Sequence, residues 1–428
     1  MKRRITVACI AAVCVGHTTL FAQTPPLLPV TIPSAQGFSA ARLEHLGEFM
    51  RSVTESGAYL GAVTLISRNG KIVDWRAYGH RDLAKKIPMT KDTIFRIYSM
   101  TKTVASVAVL MLMEEGKLTL EDPVARYLPE FKSMHVFAGG TASAPKLRPA
   151  TRPITIRHLL THTSGFATSG IKGDEAVKIF NRVNLHQSPT LKAYAEYVAR
   201  QPLSVDPGEK FNYDGVSLEV LSRLVEVVAE KPFDAFLQER ILGPLGMADT
   251  GFSVSAEKRA RIPDMTSTDV AGHLMVSPAI AAMSAGQMMN PYPSGAGGLY
   301  STAADYARFC QMLLNGGSLD GVSILGRKTV ELMMMNHLTQ LDPPVTSFSN
   351  AEGFGLGGSV VLDVARRGRP GSVGQFGWSG AGSTYYTIDR EEKLIAMLLM
   401  QHLPQDLPKD PPKISIRFYN LVYQSLVN

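Results

Sequence analysis

Ser99-Met100-Thr101-Lys102 places a hydroxyl and an amine three residues apart. On a helix that spacing puts both on one face, one turn apart and within reach of each other. A serine hydroxyl attacks a carbonyl only when a base removes its proton, and a neutral lysine can be that base. Burial and the positive end of a helix would both favour the neutral amine. The tetrapeptide alone discriminates little, because Ser143/Lys146, Ser169/Lys172 and Ser255/Lys258 have the same spacing. Pro145 opposes a helix in the first of these, and Gly170 places the second in a loop. Ser255 reads as the cap of a short charged surface helix. Only Ser99 follows a short β-prone stretch, Thr93–Tyr98, and opens a long apolar helical pattern through Val104, Val107, Leu110 and Met113 that would bury the pair.

Two further groups can complete such a site. Tyr213-Asp214-Gly215 lies after the Pro207-Gly208 turn and before a helical pattern. Its phenol could exchange a proton with Ser99 and Lys102; an ordinary packed tyrosine is the alternative. Trp378-Ser379-Gly380-Ala381 precedes a hairpin near the C-terminus. Small residues there let a substrate carbonyl approach backbone N–H groups that stabilise an oxyanion, and a glycine-rich turn is the plain alternative. Rival signals are weaker. His158 and His162 have helical spacing but no intervening Glu and no third ligand, which favours packing at a helix end over a metal site. Gly353 to Gly358 matches a dinucleotide glycine pattern but is followed by a strand-like run. No Gly-x-Ser-x-Gly occurs.

The elements that must hold these residues can be read along the chain. Ala62–Ser67 and Ile72–Tyr78 are β-prone runs joined through Asn69-Gly70, a strong hairpin signal. The helix opened by Ser99 stops at Gly116, and Asp122-Pro123 predicts the start of another. Residues 138–153 read as a loop, Ile154–Thr161 as a short helix, and Val216, Val220, Leu224 and Val227 as one apolar helix face. Phe233–Leu242 reads as helical and closes at Pro244-Leu245-Gly246. Residues 253–298 lack a clear pattern. Thr302–Asn315 is helical, Thr384–Ile388 and Leu394–Met400 form a second hairpin, and Ile414–Leu426 is a last helix. Strands at both ends, with a mostly helical middle, predict an α/β (α+β) fold in which an antiparallel sheet flanked by helices stands beside an α-helical lobe inserted roughly over residues 131–290.

Composition narrows the class. The chain has 428 residues, 45% hydrophobic and 19% charged, which is globular. No apolar run of membrane-spanning length occurs in its interior, so no integral membrane domain is expected. Lys2, Arg3 and Arg4, a short apolar stretch and Leu20-Phe21-Ala22 read as a signal peptide over residues 1–22, implying export to the periplasm or beyond. Residues 23–36 read as a Pro-rich linker and 37–428 as the main domain. Losing residues 1–22 removes Cys9 and Cys14, which leaves Cys310 without a disulfide partner and rules out a cysteine-based zinc site. The formal charge of +7 contains no basic block with interleaved aromatics, so nucleic acid is not an expected partner.

Taken together, the ordered motifs resemble the serine β-lactamase-like superfamily, and most of all class C β-lactamases and family VIII carboxylesterases. The likeness runs from about Ala41 to the C-terminus. Ile97 to Lys102 resembles the first family motif, and Ile154 to Gly165 a characteristic family segment. Pro207 to Tyr213 resembles the approach to the second motif, and Pro244 to Met247 and Gly297 to Thr302 also fit. The resemblance implies the fold expected above, Ser99 as acylated nucleophile, Lys102 as its activator and Tyr213 as general acid and base. It also implies an oxyanion hole from the N–H groups of Ser99 and Ala381, with Trp378, Ser379 and Gly380 binding substrate. No metal or organic cofactor is required. Two departures bear on substrate: Gly215 stands where class C enzymes carry Asn, and Trp378 where they carry Lys. Arg366, Arg367 or Arg369 could supply a substitute cation. The leading expectation is an exported serine hydrolase acting on small carboxylic esters. A β-lactamase, D-Ala peptidase or amidase, and a non-catalytic peptidoglycan-sensing protein, are the alternatives.

Overall fold

The computed structural model describes residues 27–168, 174–281 and 285–427. The expected signal peptide and the Ser169/Lys172 pair lie outside the described residues. Two hairpins organise the central sheet. In the first, β1 (Gly61–Arg68) and β2 (Lys71–Gly79) are joined by Asn69 at φ 52° and Gly70 at φ 75°. Both residues being left-handed is what a two-residue hairpin turn with the twist of its strands demands. β3 (Glu352–Phe354) and β4 (Ser359–Val361) form the opposite edge. β5 (Phe376–Gly380), β6 (Thr384–Asp389) and β7 (Leu394–Met400) complete an antiparallel sheet of order β3-β4-β5-β6-β7-β1-β2 among the described residues. N- and C-terminal strands therefore meet, with Ala62 opposite Met400 and Arg68 opposite Leu394.

The two faces of the sheet follow the two-residue period of its strands. Val63, Leu65, Ile395, Met397 and Leu399 face the large core, whereas Ala62, Ile66, Leu394, Ala396 and Leu398 face a smaller one. The smaller core is closed by α1 (Ala40–Glu55) and by the C-terminal helix Ser415–Tyr423, through Leu43, Leu46, Met50, Phe418 and Val422. In the larger core lies α2 (Thr101–Glu114), buried from Thr101 to Leu112 on every side. A helix apolar all round belongs inside a protein, so whatever it carries at its first turn is held rigidly. Packed on α2 is α3 (Val216–Ala229), whereas the helix Ala303–Leu314 lies against β1, β6 and β7 and is capped by Thr302, whose hydroxyl accepts from Asp305 N–H.

Several local expectations are corrected. Pro123 is extended at ψ 132°, so Asp122-Pro123 starts only the 3-10 turn Val124–Arg126. Asp122 instead accepts from Thr119 N–H, the Tyr127 hydroxyl and Arg126. Residues 138–153 are not a loop: His135–Thr141 and Ala144–Pro149 pair as a hairpin, mostly exposed and so without an apolar alternation to betray it. The unpatterned stretch 253–298 contains a second small hairpin, Thr266–Thr268 with Leu274–Val276. Of the β-prone run Thr93–Tyr98 only Phe95–Arg96 is a strand, paired with Tyr300–Ser301. The described part of the expected linker is docked on the sheet: Thr31 N–H donates to Ile72 O, Ile72 N–H to Pro29 O, and Leu28 is buried.

Candidate active site

The short strand Phe95–Arg96 delivers the chain to the mouth of α2 through Tyr98, a non-glycine residue at φ 44°. Such a conformation costs about 1–3 kcal/mol and persists only where its surroundings enforce it. Here it turns the chain so that Ser99 enters a 3-10 turn, Tyr98–Met100, that runs into α2. One turn on, Lys102 is 3% exposed. Its Nζ donates to Ser99 Oγ at 3.0 Å and to the carbonyl of Ala296 at 2.6 Å. Ser143 instead lies in a hairpin turn beside the Thr141 hydroxyl, and Ser255 Oγ donates to Glu257.

Tyr213 is positioned by the segment that follows the short helix Ile156–Leu160. Asn212 N–H donates to His162 O at 2.8 Å and Gly208 N–H to Thr163 O at 2.7 Å. The Asn212 amide donates to Phe166 O and to the Thr168 hydroxyl. Asp214 accepts from Ser217 N–H at 2.6 Å and from the Ser217 hydroxyl at 3.1 Å, capping α3 from two residues before it. His162, fully buried and at φ 55°, stands 3.5 Å from Asp214 and 4.7 Å from the centre of the Tyr213 ring. Burial pushes its imidazole below the ordinary value, against the opposing pull of Asp214. His158 does a different job: its Nδ1 accepts from Thr155 N–H in a capping box. Among the described residues no group of three or more His, Cys, Asp or Glu could hold a metal ion.

Strand β5 forms the third wall. Gly380 passes so close to the segment leading into Ser99 that an added Cβ would fall 2.3 Å from Ile97 O, which explains a glycine at that position. The Thr384 hydroxyl also donates to Ile97 O, and the Tyr386 and Thr103 hydroxyls meet at 2.7 Å. Ser99 N–H is one of the first donors of its helical turn, which have no acceptor within the helix. Ala381 follows Gly380 at the exposed end of the strand. Trp378 does more than offer an apolar surface: its indole N–H donates to the Tyr213 hydroxyl at 3.0 Å. The arginines weighed as substitute cations are engaged elsewhere. Arg367 and Arg369 bind Glu352 at 2.8 and 3.3 Å, and Arg366 stands 3.5 Å from Asp363.

Two cavities open on either side of Tyr213. One, about 560 Å³, exposes Ser99, Lys102, Tyr194, Glu219 and Met289. The other, about 490 Å³, is lined by Phe166, Phe211, Asn212 and Phe348. Phe348, Phe211, Phe354, Trp378 and Tyr213 form a continuous aromatic wall with ring centres 5.0–6.0 Å apart. The sequence reading did not single out Glu219, Ser294, Ala296 or Phe348. Glu219 carried a signal, since it falls three residues after Val216 and one before Val220, inside an apolar stripe. A charged residue there is either paired or functional.

The sequence model of the Beta-lactamase family matches residues 45–416. The chain belongs to the Beta-lactamase family. Protein Rv1367c of Mycobacterium tuberculosis is 37% identical over 367 residues, covering 83% of this chain and 89% of its own. Esterase EstB of Burkholderia gladioli is 30% identical over 405 residues, covering 90% and 97%. The LovD6 mutant of simvastatin synthase from Aspergillus terreus superposes with a TM-score of 0.75 at 26% identity, covering 91% of this chain and 98% of its own. The fold is thus the antiparallel sheet with flanking helices found across β-lactamase-like and penicillin-binding-protein-like structures. The family is one of serine hydrolases with esterases among its members.

Proposed function

We propose that this protein hydrolyses small carboxylic esters through an acyl-enzyme on Ser99. The observation that carries the reading is the part-buried contact of Lys102 Nζ with Ser99 Oγ, 3.0 Å long, at the head of a helix buried from Thr101 to Leu112. In the reading, the Ser99 proton passes to the Lys102/Tyr213 pair as Oγ attacks the ester carbonyl. The carbonyl electrons move onto oxygen, where the N–H groups of Ser99 and Ala381 receive the negative charge. Collapse breaks the bond to the alcohol oxygen, which takes a proton from Tyr213. Water then gives one proton to the same pair and attacks the acyl carbon; collapse breaks the bond to Ser99 Oγ, which takes that proton back as the carboxylic acid leaves.

Substrate preference follows from the third wall. A β-lactam carboxylate entering a partly desolvated cleft needs a charged partner to offset its lost hydration. Trp378 carries no charge, and its one donor is already on Tyr213. A simple ester brings no carboxylate, and the aromatic wall suits an apolar acyl chain. The esterase name of EstB agrees with this reading. Export through residues 1–22 is part of the same proposal. A parallel survey of p-nitrophenyl esters, nitrocefin and D-Ala-D-Ala peptides tests it: short-chain esters turn over fastest, and equal kcat/KM for nitrocefin and p-nitrophenyl butyrate would overturn it.

A further inference from the structure

Glu219 is a carboxyl group buried inside an enzyme-like site, and nothing in the acyl-transfer steps above uses it. It is 2% exposed, on the first turn of α3, and borders the same cavity as Ser99 and Lys102. The Ser294 hydroxyl donates to its Oε1. Its Oε2 is buried without a hydrogen-bond partner among the described residues, near the backbone of Gly295 and Ala296, whose N–H groups favour the charged form. Ser294 O in turn accepts from Gly298 N–H at 2.8 Å, which closes a tight turn. That turn presents Ala296 O to Lys102 Nζ at 2.6 Å. A chain of contacts therefore runs from Glu219 through Ser294 and Ala296 to the amine that touches Ser99.

We propose that Glu219 is a positioning residue for Lys102: it anchors the Ser294–Ala296 turn and, when ionised, holds a proton on the lysine. The inference rests on the reading of Lys102 as the base that activates Ser99. The other groups facing the carboxyl do not supply this control. Tyr194 and Tyr292 are neutral phenols whose burial raises them further, and Asp214 is committed to Ser217. Lys102 is the one cation in that set. Burial pushes Glu219 up to about 7, opposed by Ser294, by the charge of Lys102 and by the two N–H groups. The carboxyl therefore changes charge in the range where such an enzyme works. Because the two groups interact, the observed limb belongs to the pair.

The test is the pH dependence of Ser99 acylation by a fluorophosphonate reagent and of kcat/KM for p-nitrophenyl butyrate, in wild type and Glu219→Gln. Glutamine keeps the shape and still accepts from Ser294 but carries no charge. The inference predicts that the ascending limb of both profiles moves to lower pH by about one unit, the smallest shift expected from removing a nearby opposite charge. Glu219→Asp, which restores a carboxylate, is expected to move the limb back toward wild type. A uniform loss of rate with an unmoved limb would mean that Glu219 is only structural and would overturn the proposal. Failure of wild-type Ser99 to be labelled at all would instead overturn the reading of Lys102 on which it rests.

Discussion

Replacing Trp378 with phenylalanine removes one hydrogen bond and little else. The indole ring packs 5.0 Å from Tyr213, 5.1 Å from Phe354 and 6.0 Å from Phe348, and a phenyl ring keeps most of that contact. What disappears is the 3.0 Å bond from the indole N–H to the Tyr213 oxygen. Between neutral partners such a bond contributes about 0.5–1.5 kcal/mol, and to a charged partner about 1.5–3 kcal/mol. If Tyr213 gains negative charge as it gives up its proton, the difference of about 1–1.5 kcal/mol is felt only in the transition state. That corresponds to a roughly tenfold fall in kcat with KM nearly unchanged. Leaving-group chemistry sharpens the assay. p-Nitrophenolate departs with little help, whereas an alkoxide needs a proton, so the loss is expected to be greater for ethyl butyrate than for p-nitrophenyl butyrate. Steady-state kinetics on both esters decides the matter. A kcat within twofold of wild type on both would refute the role given to Tyr213 and the Trp378 bond.

Gly295→Ala would place a Cβ 2.0 Å from Ser222 Oγ and 3.3 Å from the Ala105 Cβ, so a loss of about 1–3 kcal/mol is expected in urea unfolding, together with reduced acylation as Ala296 O is displaced from Lys102. Glu219 binds a proton more tightly folded than unfolded, about 7 against 4.5, so it stabilises the protein less as pH rises through that window; Glu219→Gln is expected to gain about 3 kcal/mol relative to wild type near pH 8 and nothing below about pH 4.5, measured as unfolding free energy. His158 behaves oppositely, because burial lowers it from 6.5 to about 4: its contribution is present above 6.5 and is lost as pH falls toward 4. Allowing for its partial contact with solvent, His158→Gln should flatten the acid limb of stability by about 2 kcal/mol, and an unchanged limb would contradict that assignment.

The sequence revealed most where burial imposes a period. The hairpin turn at Asn69-Gly70, the α2 stripe and the C-terminal hairpin Thr384–Met400 all follow from apolar spacing and turn chemistry. It misled where burial is weak: the exposed hairpin His135–Thr141/Ala144–Pro149 has no inward face to pattern. For the site, motif order brought Ser99, Lys102, Tyr213 and Trp378 to attention; the structure places the first three on one cavity and Trp378 against Tyr213. The bond between Trp378 and Tyr213 could not be read from the chain, since its partners are 165 residues apart. Nor could the turn that offers Ala296 O to Lys102 from 194 residues away. Glu219 was visible only as a charge in an apolar stripe, and its meaning needed the partner turn.

The central claim is that Ser99 carries the acyl group. Intact-protein and peptide mass spectrometry after reaction with a fluorophosphonate reagent, and after acid quench of ester turnover, tests it most directly. The account predicts a single adduct on the peptide containing Ser99, lost together with all turnover in Ser99→Ala and strongly slowed in Lys102→Ala. An adduct on Ser143 or Ser255, or a Ser99→Ala variant that still hydrolyses esters, would contradict it.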